Sequence, residues 1–363
     1  MIVKIDVKGY KSIKNQSIEL RPINILIGSN GVGKSNFISI FSLIRNLYDR
    51  NLGDYVIQKG GADSFLYFGK KQTQQIDIDF FFGSDFSNQT NRLIISLAES
   101  QDSLYIKSLD TAFNSYGKWH FHNYAKSVRE FSLKGIQYGQ GYYVNNRLKE
   151  FEVYHFHDTG DKSPMKGTSN INDNLMLKHN GSNVAAFLYY LQEKHPKHFV
   201  RIEKTIKSIA PFFERFVLSP DRLNENQIRL EWREVGEPDA YFNANHLSDG
   251  TLRFICLATL LMQPSPPKTI IIDEPELGLH PVAISKLASL IRKASEEVQI
   301  IVSSQSVYLV DYFEPEDILI ADREEKETVF NRLNKVELNS WLQDYSLGEV
   351  WEKNIIGGQP SNM

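Results

Sequence analysis

Apolar and polar residues alternate over the opening stretch "MIVKIDVKGYKSI", and this pattern predicts strands at Val3–Val7 and Ser17–Leu20. An unbroken apolar run, "INILI", then enters a glycine-rich turn, after which Phe37, Ile40, Phe41, Ile44, Leu47 and Tyr48 recur at helical spacing. Strand, turn and helix thus follow one another directly. Alternation returns in "QIDIDFFFG" and "RLIISLAES", which predicts antiparallel hairpins with one wet face. From Gln101 to Gly181, a segment rich in Tyr, Asn, Gly and His, no period lasts, so irregular strands and long loops are expected. "GSNVAAFLYYLQEKHPKHFVRIEKTIKSIAPFF" predicts two helical pieces broken near Pro196, and "FERFVLSP" and "NQIRLEWREV" predict strands. Between His246 and Asp322 helix and strand signals alternate, the mark of βαβ units on a parallel sheet. There is no internal repeat and no heptad run, which argues against a long coiled-coil arm.

Length and composition narrow the class. A chain of 363 residues with 41% hydrophobic content can bury a substantial core, as one large α/β domain or two ordinary ones. Its 41 basic and 44 acidic residues leave a net charge of −3, without the global basic field that announces a nucleic-acid binder. Cys256 is the sole cysteine, in "FICLATLL", and reads as a small buried hydrophobe in a reducing setting. The N-terminus lacks a signal-peptide core, and no run approaches the ~18 apolar residues of a membrane span. A cytoplasmic protein with no membrane partner is expected.

Chemistry enters with "GSNGVGKS", Gly28–Ser35, which fits G-x-x-x-x-G-K-[ST] at every fixed position. Glycines let successive N–H groups curl around phosphate oxygens, Lys34 supplies a point charge and Ser35 a hydroxyl for Mg²⁺. The strand before and the helix after are what the loop's mechanics require, and the helix start adds a favourable dipole. Downstream, "KTIIIDEPELGLHP" ends a doubly covered strand on Asp273 and Glu274. Beside a phosphate loop, Asp273 suits the Mg²⁺ shell and Glu274 suits a base that takes a proton from attacking water; capping of a strand end is the plainer alternative. "HLSDGTLRF" sets Ser248, Asp249 and Gly250 before a strongly apolar helix, a start that serves equally as an ordinary N-cap and as an anion site. In "IIVSSQS", an apolar strand stops on Ser303, Ser304 and Gln305.

Taken together, "GYKSI", "GSNGVGKSN", "LSDGTLRF", "IIIDEPELGLHP" and "IIVSSQS" resemble, in family order, the ABC-type ATPases of the RecF, SMC and OLD group, and in particular its stand-alone bacterial AAA-type members. "YHFHDTG" and "YSLGEVWEKNIIGG" extend the resemblance over nearly the whole chain. It implies an α/β fold: a P-loop NTPase with an ABC-ATPase-like head, a mixed or parallel sheet flanked by helices, plus an antiparallel β lobe. Residues 1–98 would form an N-terminal ATPase lobe with the Walker A loop, 99–245 a β-rich and helical insertion, and 246–363 a C-terminal lobe with signature motif, Walker B and switch.

The same resemblance implies ATP and Mg²⁺ as cofactors. Asn30, Gly31, Val32, Gly33, Lys34, Ser35 and Asn36 would hold phosphate, with Ser35 and Asp273 on the metal and Lys11 and Ser12 near the nucleotide. Leu247–Thr251 matches the signature motif, whose Ser248 and Gly250 would reach the γ-phosphate of a second subunit in a head-to-tail, ATP-dependent homodimer. Gly278–Pro281 falls where the D-loop is expected, and Gln58 is a candidate for the Q-loop residue. Gln305 stands where many relatives carry a switch histidine. A carboxamide can donate to phosphate and accept from water at once but carries no charge, so slow turnover is expected.

The expected function is ATP hydrolysis by Glu274, Gln305 and Lys34, with dimerisation controlling DNA or a separate nuclease subunit. The rival is a nucleotide-gated scaffold with negligible turnover. About 40 residues follow Asp322, too few for the Toprim domain of the nuclease relatives, so intrinsic nuclease activity is not expected. His120/His122 and His155/His157 could each share a strand face, but lack a third ligand at metal spacing. "DREEKE" reads as a solvated turn, and Trp341 and Trp351 as aromatics that pack the tail onto the body, with anchoring of a partner as the alternative.

Overall fold

The computed structural model describes residues 1–85, 88–237 and 242–359. Along the chain, β1 (Ile2–Tyr10) and β2 (Ile13–Glu19) form a hairpin, β3 (Ile23–Ile27) runs into the helix Lys34–Tyr48, and β4 (Gln75–Gly83), β5 (Gln89–Ser100), β6 (Ser103–Ser115) and β7 (Lys118–Val128) form a meander. Later come β8 (Phe151–Tyr154), β9 (Thr269–Asp273), β10 (Gln299–Ser303), β11 (Ile318–Glu324) and β12 (Glu327–Arg332). The first sheet has the order β2-β1-β4-β5-β6-β7 and is antiparallel throughout. The second has the order β12-β11-β3-β10-β9-β8; all neighbours are parallel except the edge pair β11/β12.

Burial follows from these patterns. In the parallel sheet both faces are covered, so β9 and β10 read as continuous apolar runs. Successive side chains still point to opposite faces. Ile270 and Ile272 join the core beneath the helices Val184–Lys194, Pro196–Lys207, Asp249–Met262 and Pro281–Ala294, whereas Ile271 joins the core around Lys34–Tyr48. That last helix is clamped between the sheets: the Phe41 ring lies 5.9 Å from Phe80 of β4 and 6.0 Å from Phe151 of β8. Full burial of an aromatic side chain contributes about 2–3 kcal/mol, so the helix that starts at the phosphate loop is held from both sides. Asp249–Met262 is buried almost all round, as its unbroken apolar sequence requires.

Several expectations are corrected. Much of the Gln101–Gly181 segment is regular: β6 and β7 are long paired strands, and Gly139–Lys149 is a helix. The strands escaped the period-2 reading because each carries an extra residue where the register shifts, Lys107 of β6 opposite Ser96–Leu97 and Tyr124 of β7 opposite Leu109–Asp110. Each shift swaps the phase of buried and exposed positions. The 98/99 boundary falls within β5, and β8, from the 99–245 segment, is an edge of the parallel sheet. His155 and His157 lie just beyond β8, not within it. Residues 322–324 and 327 of "DREEKE" belong to strands, with the turn at Glu325–Lys326. Trp351 is buried against the body, while Trp341 remains 43% exposed. No described helix is long and apolar enough to cross a membrane.

Candidate functional site

The carboxyl ends of β3, β10 and β9 lie side by side, with Ser303 paired to Leu26 on one side and Asp273 on the other. Ligands bind open parallel sheets at such ends. From β3 the chain turns through Gly28, Gly31 and Gly33, all with positive φ. At Gly33 (φ 119°) a Cβ would sit 2.3 Å from the Thr328 hydroxyl and 2.9 Å from Ser12 Oγ, so only glycine fits. A Cβ on Gly31 would meet nothing within 4 Å, which leaves open space in front of the loop. The helix Lys34–Tyr48 starts without a side-chain cap, so its first N–H groups are presented by backbone alone.

Lys34 is only 5% exposed, and its ammonium donates to Gly28 O (2.5 Å) and Ser29 O (3.0 Å). Burial lowers its pKa, opposed by Glu274, Asp273 and Glu276. The charge is thus held by two loop carbonyls, at the edge of the cleft and within electrostatic reach of three carboxylates. Behind it, Thr328 Oγ1 contacts both Val32 O (2.6 Å) and Ser12 Oγ (2.7 Å), and Asn36 Nδ2 donates to Ser12 Oγ (2.8 Å). Val32 itself is a core side chain. Lys11 turns away along the helix to Ser39 Oγ (2.9 Å), and burial brings its pKa down to about 8.

The acidic turn and the end of β10 interlock. Ser303 Oγ donates to Asp273 Oδ1, Gln305 Nε2 donates to Glu274 Oε1, and Ser304 Oγ donates to Glu276 Oε1 (2.6 Å). Gln305 therefore touches the carboxylate assigned from sequence as a base. Glu274 has a left-handed backbone (φ 41°), a conformation costing a residue with a side chain about 1–3 kcal/mol. Its N–H bonds to Ser303 O (2.9 Å) and Ser303 Oγ (3.3 Å) hold that turn. Just beyond β8, His157 Nε2 lies 2.6 Å from Asp273 O.

Asn30, Gly31, Gly33, Lys34, Ser35, Asn36, Glu274 and Gln305 line one cleft of about 140 Å³. A larger cleft, about 970 Å³, opens beside Arg45 and Tyr48 at the far end of the Lys34–Tyr48 helix, but none of the predicted site residues lines it. Chemistry, not size, marks the smaller one. Lys11, Ser12, Ser248, Gly250 and Gln58 do not line it. Gln58 is exposed at the end of the helix Leu52–Gln58. Ser248 caps its own helix, accepting from Thr251 N (3.2 Å). A Cβ on Gly250 would lie 2.3 Å from Gly278 O, so the glycine packs the helix start against the Gly278–Pro281 turn. Buried Arg253 then ties this helix to Phe156 O (2.9 Å) and His157 O (3.2 Å).

Glu276, Arg253 and Thr328 are not among the residues that the sequence singles out, and His157 enters there only as half of a histidine pair with His155. The "DEPE" spacing was a usable signal for Glu276, which repeats the acidic residue two positions after Glu274. The other three make contacts across more than 90 residues, which no local spacing reveals.

Similarity to known proteins agrees with this geometry. An Smc head bound to the C-winged helix domain of ScpA superposes with a TM-score of 0.60 at 14% identity, covering 93% of this chain and 99% of that one. A second, an Smc head domain with an extended coiled coil bound to the C-terminal domain of ScpA from Pyrococcus furiosus, gives 0.57 at 13% identity, covering 95% and 99%. No curated protein is significantly similar. Residues 23–311 match the family model "AAA domain, putative AbiEii toxin, Type IV TA system". With that match spanning the phosphate loop, the acidic turn and Gln305, the chain belongs to this AAA family of P-loop ATPases, on the fold of an ABC-type head.

Proposed function

We propose that the chain binds ATP with Mg²⁺ in the Lys34 cleft and hydrolyses it as a pair of copies, each completing the other's site. The observation that carries this reading is the convergence of Lys34, Ser35, Glu274 and Gln305 on one cleft, with Asp273 at the adjoining strand end. The donor set fits the group: Ser35 and Asp273 offer the hard oxygens that Mg²⁺ takes, and the open space at Gly31 leaves room for phosphate. Bound Mg²⁺ would neutralise charge developing on the phosphates. Lys34 would hold the phosphates, Glu274 take the proton of the attacking water, and Gln305 orient that water through its amide. Ser12 and Asn36 brace the loop from behind.

Ser248 and Gly250 lie outside their own chain's cleft, which suits a role on nucleotide held by a second copy. Leu277, Val282 and Tyr308, flanking the acidic turn and Gln305, are 50%, 55% and 65% exposed. Exposed apolar residues around a site favour an interface. In the cytoplasm, such dimerisation would control DNA or a separate nuclease subunit, in genome maintenance or anti-phage defence. The segments 1–98, 99–245 and 246–363 would then act as two ATPase lobes joined by an insertion. A second reading, a nucleotide-gated scaffold with negligible turnover, is favoured by the direct Gln305–Glu274 bond, which occupies the base. Calorimetry with ATP and Mg²⁺, followed by steady-state phosphate release with and without duplex DNA, separates them. Binding with a DNA-stimulated rate supports hydrolysis, a flat near-zero rate supports the scaffold, and no heat of binding overturns both.

A further inference from the structure

Glu276 is buried, yet no step above uses it. Its Oε1 accepts two donors from successive residues, Ser304 Oγ at 2.6 Å and Gln305 N at 2.9 Å. Its Oε2 is buried with no hydrogen-bond partner among the described residues. A carboxylate in this position is costly, because burial penalises its charge and one oxygen is left unmatched. A neutral acceptor would close the turn at lower cost. What the carboxylate secures is the direction of the chain beyond β10. With Ser304 Oγ drawn to Glu276, that hydroxyl accepts Ser306 N (3.0 Å), and Ser306 Oγ in turn accepts Leu309 N (3.2 Å) to start the helix Val307–Val310. Between these anchors the Gln305 side chain is exposed, and its amide donates to Glu274 Oε1.

We propose that Glu276 is the positioning residue of the switch: by holding the Gln305 N–H and the Ser304 hydroxyl, it aims the Gln305 carboxamide at Glu274 and the attacking water. The proposal rests on the reading that Glu274 and Gln305 act in ATP hydrolysis. Three acidic residues of one turn thus each take one polar residue of "SSQ": Asp273 takes Ser303, Glu276 takes Ser304, and Glu274 takes Gln305. Glu274 lines the Lys34 cleft, Asp273 ends the adjoining strand, and Glu276 fixes the register of the other two pairs.

The test uses the full-length chain with Glu276→Ala, Glu276→Gln, Gln305→Ala and the Glu276→Ala/Gln305→Ala double variant; Glu276→Met, which fills the volume without an acceptor, stands in should the alanine variant not fold. Hydrogen exchange at the Gln305 amide is measured without nucleotide. Glu276→Ala should lose protection there by about ten-fold or more, and Glu276→Gln, whose amide oxygen can accept the same bonds, should keep it. In steady-state ATP hydrolysis, Glu276→Ala should lower kcat about as far as Gln305→Ala, with KM within about two-fold of wild type. The double variant should be no slower than Gln305→Ala alone, and Glu276→Gln should recover most of the rate. Unchanged protection in Glu276→Ala, or independent losses that multiply in the double variant, would overturn the proposal. A wild-type protein that binds no ATP would refute the proposed function instead, and the exchange arm would still decide whether Glu276 holds Gln305.

Discussion

Replacing Glu274 with Gln should leave ATP bound and reduce its hydrolysis by about 10²–10⁴-fold, the range that a positioned general base contributes. The substitution keeps the side-chain length and an oxygen that can still accept the Gln305 carboxamide, so the acidic turn should survive. Only the ability to take a proton goes. Because the nucleotide then stays in place, a dimer that forms on ATP should persist and be visible by size-exclusion chromatography or light scattering. Phosphate release indistinguishable from wild type would remove Glu274 from the base role, whatever the state of the dimer.

An effect of comparable size is expected for Lys34→Ala, but on binding. Charge-assisted hydrogen bonds from a buried ammonium to phosphate are worth about 2–3 kcal/mol, so ATP affinity should fall by roughly 30- to 150-fold. Stability of the nucleotide-free protein should move little or rise slightly. Burial already penalises the Lys34 charge, as its lowered pKa indicates, and in the absence of phosphate its partners are two carbonyls of its own loop. Calorimetry and thermal unfolding with and without ATP separate these effects. A variant that still gains wild-type thermal protection from ATP would show that the nucleotide binds elsewhere.

Much of the site was legible because backbone geometry restricts the residue types. Gly33 must be glycine since a Cβ would strike Thr328 and Ser12, so the loop announces itself wherever it occurs. β9 and β10 were legible for a similar reason: strands covered on both faces leave uninterrupted runs of Ile and Val, and the polar residues that end them stand out. β6 and β7 hid their regularity because each carries one unpaired extra residue, Lys107 and Tyr124, that changes which positions face inward, and a strict alternation test fails across it. Contacts distant in sequence were invisible in principle. Nothing near Thr328 hints that its hydroxyl would reach Val32, and nothing near His157 that its ring would meet Asp273. Ser248 shows a different limit. Its pattern served an N-cap and an anion site equally; the cap is formed within the chain, and Ser248 does not line the Lys34 cleft.

That second copy is the core of the account, and mixing two variants, each inactive at ATP concentrations well below the raised Kd of Lys34→Ala, tests it most directly. Lys34→Ala removes the phosphate-holding half of a shared site, and Ser248→Arg blocks the half offered to the partner. If sites are shared, a mixed pair contains one site built from the intact Lys34 of one chain and the intact Ser248 of the other. Random pairing then restores at most about one quarter of wild-type phosphate release, since half the dimers are mixed and each has one working site of two. Recovery toward that level from two inactive preparations is the predicted result. A mixture no more active than its separate components, at concentrations where wild type turns over, would contradict the shared site.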